Sequence, residues 1–126
     1  METKQVIVIR KDLNMRKGKM VAQGAHASMA TLTKYMTKND RGWWAFYPTN
    51  EMEDWLNNSF TKICVSVNSE QELLEIYNKA LKIGLPCSVI RDNGKTEFRE
   101  PTYTAVAVGP AEVSMVDEIT GSLPLL

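Results

Sequence analysis

The sequence offers one histidine and two cysteines among 126 residues, and no apolar run approaches 18 residues. Cys64 and Cys87 lie far apart, inside the strand-like runs ICVSV and CSVI. That leaves no ligand spacing for a structural zinc site and no disulfide framework, so both are expected to be reduced core residues. The missing apolar run argues against a membrane-spanning helix. The start METKQVIV also lacks the apolar centre and small-residue cleavage site of a signal peptide, so the expectation is a cytoplasmic protein with no membrane partner. No GxSxG marks a serine nucleophile, and Gly18-Lys19 lacks the glycine spacing and following Ser/Thr of a phosphate loop. Repeats, low-complexity tracts and linkers are absent as well. Even net charge is missing, with fifteen basic and fifteen acidic residues.

The charge is unevenly placed. Residues 1–41 carry nine Lys/Arg and three Asp/Glu, whereas residues 42–75 carry one Lys and six acids. A local basic field of this kind can hold phosphates on a molecule that is neutral overall, although a solvated charged surface would look the same. With 44% hydrophobic and 24% charged residues, the composition is that of an ordinary globular protein. A chain this long forms one domain, spanning residues 1–126, and buries roughly two thirds of its unfolded surface.

Gln5 to Arg10 reads as a buried strand, because β-branched residues follow one another through Val6-Ile7-Val8-Ile9. Gly18 to about Lys38 reads as a helix. The stretch from Asn39 to Leu56 crowds Trp43, Trp44, Phe46, Tyr47 and Trp55 around Pro48 and Asn50. It reads as a hydrophobic flap over the core, with base-stacking aromatics as the alternative, and Thr49 can cap a short acidic helix there. Lys62 to Val67 alternates as a strand. Ser69 and Glu72 form a capping-box signature for a helix that Gly84 and Pro86 end. Pro86 to Arg91 and Tyr103 to Val108 are two further strands, and a last helix is expected from Ala111 to Ile119. Strands alternating with helices make the chain α/β, with some parallel pairing and helices packed on the sheet faces.

Chemistry concentrates in two segments. Between Arg10 and His26 the chain reads RKDLNMRKGKMVAQGAH, a basic loop leading into the helix. Lys19, Gln23 and His26 fall at i, i+4 and i+7, which places an amine, an amide and the lone imidazole on one helix face. Small residues between them, Ala22, Gly24, Ala25 and Ala27, allow close packing. His26 could equally be a satisfied core histidine, and Gln23 a packing amide. The second segment, Arg91-Asp92-Asn93-Gly94-Lys95-Thr96, lies at the carboxyl end of a strand, where α/β sheets gather ligands. Asp92 could also serve only its own turn. If the two strands are neighbours, Asp92 and Thr96 face Lys19, Gln23 and His26 across one cleft. An ammonium, a carboxylate and hydroxyl or amide donors suit hydrolysis by a bound water.

These pieces together resemble the type 2 (archaeal and eukaryotic type) peptidyl-tRNA hydrolases. The resemblance runs through RKDLNMRKGKMVAQGAHA, SEQELLEIYNKALKIGLP, IRDNGKTEF, PTYTAVAVGP and DEITGSLPLL, in the family's order, and leaves out residues 37–60, which read as a Trp-rich insertion. The TEF and PT pieces are similar to a bacterial or phage branch. Gly24, where Cys or Ala is more usual, and Ser122, where His is common, depart from the pattern. The resemblance implies a mixed four-stranded sheet flanked by helices and an esterase that needs neither metal nor cofactor and frees tRNA from stalled peptides. It also implies functional roles for Lys19, Gln23, His26, Asp92 and Thr96. In this reading Lys19 stabilises the oxyanion or acts as base, Asp92 orients water or the ammonium, and Thr96 and Gln23 hold ribose or carbonyl. Arg10, Lys11, Arg16 and Lys17 contact tRNA phosphates without reading sequence. A homodimer is left open. Two rival readings are a non-catalytic RNA- or protein-binding module on the same fold and a small-molecule hydrolase or nucleotide-binding domain.

Overall fold

The computed structural model describes residues 1–95 and 97–126. In chain order it comprises β1 (Thr3–Arg10), α1 (Lys17–Thr33), β2 (Met36–Lys38), β3 (Trp44–Phe46), α2 (Asn50–Asn57), β4 (Lys62–Val67), α3 (Glu70–Lys82), β5 (Cys87–Asp92), β6 (Thr102–Glu112) and α4 (Val113–Thr120). Four strands form one mixed sheet in the order β4-β1-β6-β5. Strand β1 runs parallel to β4 and antiparallel to β6, and β6 is antiparallel to β5.

Alternation along the strands divides the sheet into two faces. Val6, Val8, Val65, Val67, Val106 and Val108 point to the face that α3 and α4 cover with Leu73, Ile76, Val116 and Ile119. Ile7, Ile9, Ala105 and Ala107 point to the other, where Ala27 of α1 packs on them. The small side chains on this second face let α1 lie close to the sheet. A buried polar contact ties it there: the Ser88 hydroxyl on β5 donates to the Ala27 carbonyl at 2.7 Å and accepts from Thr31 at 2.9 Å.

Several local expectations hold. Thr49 caps α2 by accepting the Met52 N–H at 3.1 Å, and Ser69 caps α3 by accepting that of Glu72 at 3.0 Å. The Glu72 carboxylate reaches back to the N–H of Asn68, one residue earlier than a capping box expects. Others need correction. Helix α1 stops at Thr33 rather than Lys38, because Met36–Lys38 pairs with Trp44–Phe46 as a separate two-stranded hairpin. The Asn39 side chain pins its turn by accepting the N–H groups of Arg41 and Trp43. The flap reading holds for Met52 and Trp55, which are fully buried, but Trp43, Trp44 and Tyr47 are exposed. Ala111 belongs to β6, paired with Lys4, and α4 starts only at Val113. Cys87 is a core residue, whereas Cys64 is exposed, because it sits on the edge strand β4 with its side chain on the face away from α3 and α4.

Candidate active site

Both chemistry-bearing segments leave the sheet at one edge. β1 and β5 are not neighbours, as the single-cleft expectation required, because β6 lies between them. Each is antiparallel to β6, so the two run in the same direction and their carboxyl ends still share an edge, about 10 Å apart at two strand spacings. Helix α1 starts at that edge and crosses the gap.

The Lys19 ammonium donates to Asp92 Oδ1 at 2.6 Å, with the two side chains only 13% and 11% exposed. The other carboxylate oxygen accepts the Gly94 N–H at 3.0 Å, so Asp92 serves its own turn and meets Lys19 at once. Gly94 holds φ at +79°, a left-handed conformation that favours glycine, and a Cβ there would lie 2.5 Å from the Glu100 backbone. Asp92 stays below the usual carboxylate range chiefly through the Lys19 hydrogen bond, then the Gly94 N–H, with further help from the charges of Lys19 and His26 and against the opposing effect of burial.

The rest of the helix stripe divides by depth. Gln23 is buried, and its amide oxygen accepts the Thr104 hydroxyl of β6 at 2.5 Å. His26 is exposed, so it is not a core histidine. Thr96 lies outside the described residues. In the basic loop Lys11, Arg16 and Lys17 are exposed, while Arg10 is committed elsewhere. Its guanidinium binds both oxygens of Asp12, at 3.2 and 2.7 Å, and the Tyr103 carbonyl at 3.1 Å. Arg16 is the N-cap of α1 but offers no side-chain cap, and no acid stands in the first turn. The amino end of the helix therefore keeps its positive character.

Sequence spacing does not single out Thr104, Glu97 or Phe98. Glu97 accepts the Arg16 N–H at 3.4 Å, and the Phe98 ring centroid lies 5.7 Å from the Lys19 nitrogen. With Leu13, Asn14 and Arg16 they line a cavity of about 670 Å³. The available signals for Glu97 and Phe98 are the TEF piece of the resemblance and their position after the loop that Asp92 opens. Among the described residues, no group of three His, Cys, Asp or Glu side chains could hold a metal ion, and no helix is long and apolar enough to cross a membrane.

Comparison with known proteins adds to this geometry. The family model described as Peptidyl-tRNA hydrolase PTH2 matches residues 3–126. A peptidyl-tRNA hydrolase of Methanocaldococcus jannaschii is 49% identical over 123 residues, covering 98% of this chain and 99% of that relative. One of Sulfolobus acidocaldarius is 41% identical over 123 residues, with 98% and 99% covered. One of Aeropyrum pernix is 43% identical over 122 residues, with 97% and 94% covered. These archaeal relatives speak for the family and not for the bacterial or phage branch that TEF and PT resemble.

Proposed function

The chain belongs to the peptidyl-tRNA hydrolase PTH2 family and is a peptidyl-tRNA hydrolase, and we propose that the Lys19–Asp92 pair carries its reaction. The readings as a non-catalytic module and as a small-molecule hydrolase fall away with that membership. The observation behind the proposal is the 2.6 Å contact at the strand-end edge, between an amine and a carboxylate 73 positions apart in the chain.

In the proposed reaction a water attacks the ester carbonyl that joins the peptide to the terminal ribose, and the tRNA hydroxyl leaves. An ammonium held by an ionised carboxylate is better suited to stabilise the developing oxyanion than to take a proton. Lys19 is therefore the oxyanion group, and Asp92 orients it and the attacking water. Gln23 is a positioning amide, anchored by Thr104, that offers its N–H donors. His26, at the solvent end of the stripe, meets the ribose or its phosphate. Thr96 keeps the substrate-holding role that the family resemblance assigns. Arg16, Lys17 and Lys11 take tRNA phosphates beside the positive end of α1. Arg10 shapes the loop through Asp12 and Tyr103.

We also propose a cytoplasmic location, which the substrate and the two free thiols support. A homodimer is supported by the outer side of α1, where exposed Val21 and Met29 border apolar hollows lined by Ile7 and Ala25, with exposed Phe60 and Leu126 alongside.

The test is Lys19→Ala assayed on peptidyl-tRNA. Turnover is expected to fall by roughly two or more orders of magnitude with the fold intact. Near-normal turnover by a folded variant would remove Lys19 from the chemistry.

A further inference from the structure

We propose that Phe98 is the platform on which the terminal base of the tRNA stacks. This inference rests on the reading above that Lys19 and Asp92 mark the reacting centre. The ring stands where two parts of the site meet. It packs, as do Leu13 and Met20, against the buried cluster that Ile7, Ile9, Met15, Ala27, Ala105 and Ala107 form, which anchors it. It also lines the 670 Å³ cavity and lies 5.7 Å from the Lys19 nitrogen.

The substrate's chemistry supplies the occupant. Every peptidyl-tRNA carries its ester on a terminal ribose, and the base is attached to that same sugar. A base must therefore lie about one sugar ring from the carbonyl that Lys19 meets, and Phe98 offers an aromatic surface at such a distance from the Lys19 nitrogen. Leu13 extends the apolar wall, and Arg16 stands at the same cavity to meet the preceding phosphate. Every base has a π face, so stacking tolerates any base identity but discriminates against an end that has none. A ring that served only to cover the Lys19 ammonium would not make that distinction.

The experiment compares binding of the trinucleotide CCA with that of the same oligonucleotide carrying an abasic final residue. The wild-type protein is expected to bind CCA about five-fold to a hundredfold more tightly, the range of one base–aromatic stack. Phe98→Leu, which keeps apolar bulk, should close that gap and raise KM for peptidyl-tRNA by a similar factor. Phe98→Trp should preserve the gap, which guards against a fold defect in the leucine variant. Equal binding of both oligonucleotides by the wild type would overturn the proposal, as would a gap that survives Phe98→Leu. A loss confined to kcat would overturn it too, and would make the ring a support for Lys19. The same binding measured on Lys19→Ala separates the two readings. A preserved gap with full turnover sinks the catalytic assignment alone, and a lost gap in Phe98→Leu with inactive Lys19→Ala supports both.

Discussion

Replacing Asp92 by Asn removes one charge and little else. The amide can still accept the Gly94 N–H, so the turn survives, but the charge-assisted bond to Lys19 does not. Exposed ion pairs contribute about 0–1 kcal/mol, and breaking a fully buried pair costs about 3–5 kcal/mol. With side chains 13% and 11% exposed, this pair lies between those limits, and about 2 kcal/mol is a reasonable expectation. The unfolding entropy of a domain this size is about 0.26 kcal/mol per kelvin, so Tm should fall by about 8 °C. Turnover should fall by about a hundredfold or more, because Lys19 loses the group that orients it. Acid supplies the control. Lys19 and the Gly94 N–H hold the native carboxyl below its usual range, so the unfolded chain binds that proton more readily. The pair's contribution is therefore full above the unfolded carboxyl's pKa of about 3.9, and is lost as pH falls through the lowered native value. A thermal-melt series should show a Tm gap between wild type and variant that is flat from about pH 6 to 8 and closes in acid. An equal Tm at neutral pH together with normal turnover would refute both the energetics and the role of Asp92.

Two further outcomes test the surroundings of the pair. Arg16→Ala/Lys17→Ala should raise KM for peptidyl-tRNA and make the plot of log affinity against log salt shallower by about two counterions, while a minimal ester without the tRNA body is cleaved as before; an unchanged salt slope would move the RNA surface elsewhere. Gly24→Ala should raise Tm by about 4 °C, since a glycine inside a helix costs about 1 kcal/mol relative to alanine and the new Cβ would sit 3.5 Å from Ile7 and 3.9 Å from Ile9, ordinary contact distances; a lower Tm would show that α1 cannot tolerate the methyl.

Local signals were legible wherever their cause is local. The alternation of Lys62 to Val67, the Thr49 and Ser69 caps and the stop at Gly84 all depend on residues a few positions apart. The stripe of Lys19, Gln23 and His26 was legible for the same reason. Its division by depth was not, because depth depends on what lies opposite: Thr104 buries Gln23, and Asp92 meets Lys19, both from strands more than seventy residues away. Helix α1 was read as too long because Met36–Lys38 finds its partner in Trp44–Phe46, and pairing between separate strands leaves no trace in helical periodicity. Likewise the adjacency of β1 and β5 is only a condition in the sequence, because chain order does not reveal that the last strand, β6, enters between them. Cys64 looked like core because an edge strand and a central strand can share one alternating pattern.

That late insertion of β6 governs how the molecule can be made. β1 is completed by residue 10, yet its partners on either side are residues 62–67 and 102–112. During synthesis its Val6-Ile7-Val8-Ile9 run must wait for nearly the whole chain, and contacts of such high sequence separation form slowly. A product cut short before residue 102 would leave one side of β1 unpaired, a sticky hydrophobic edge open to aggregation. It would also lack Thr104, the anchor of Gln23. An enzyme that releases unfinished chains from tRNA is thus one whose own unfinished chains hold Lys19 without an assembled site around it.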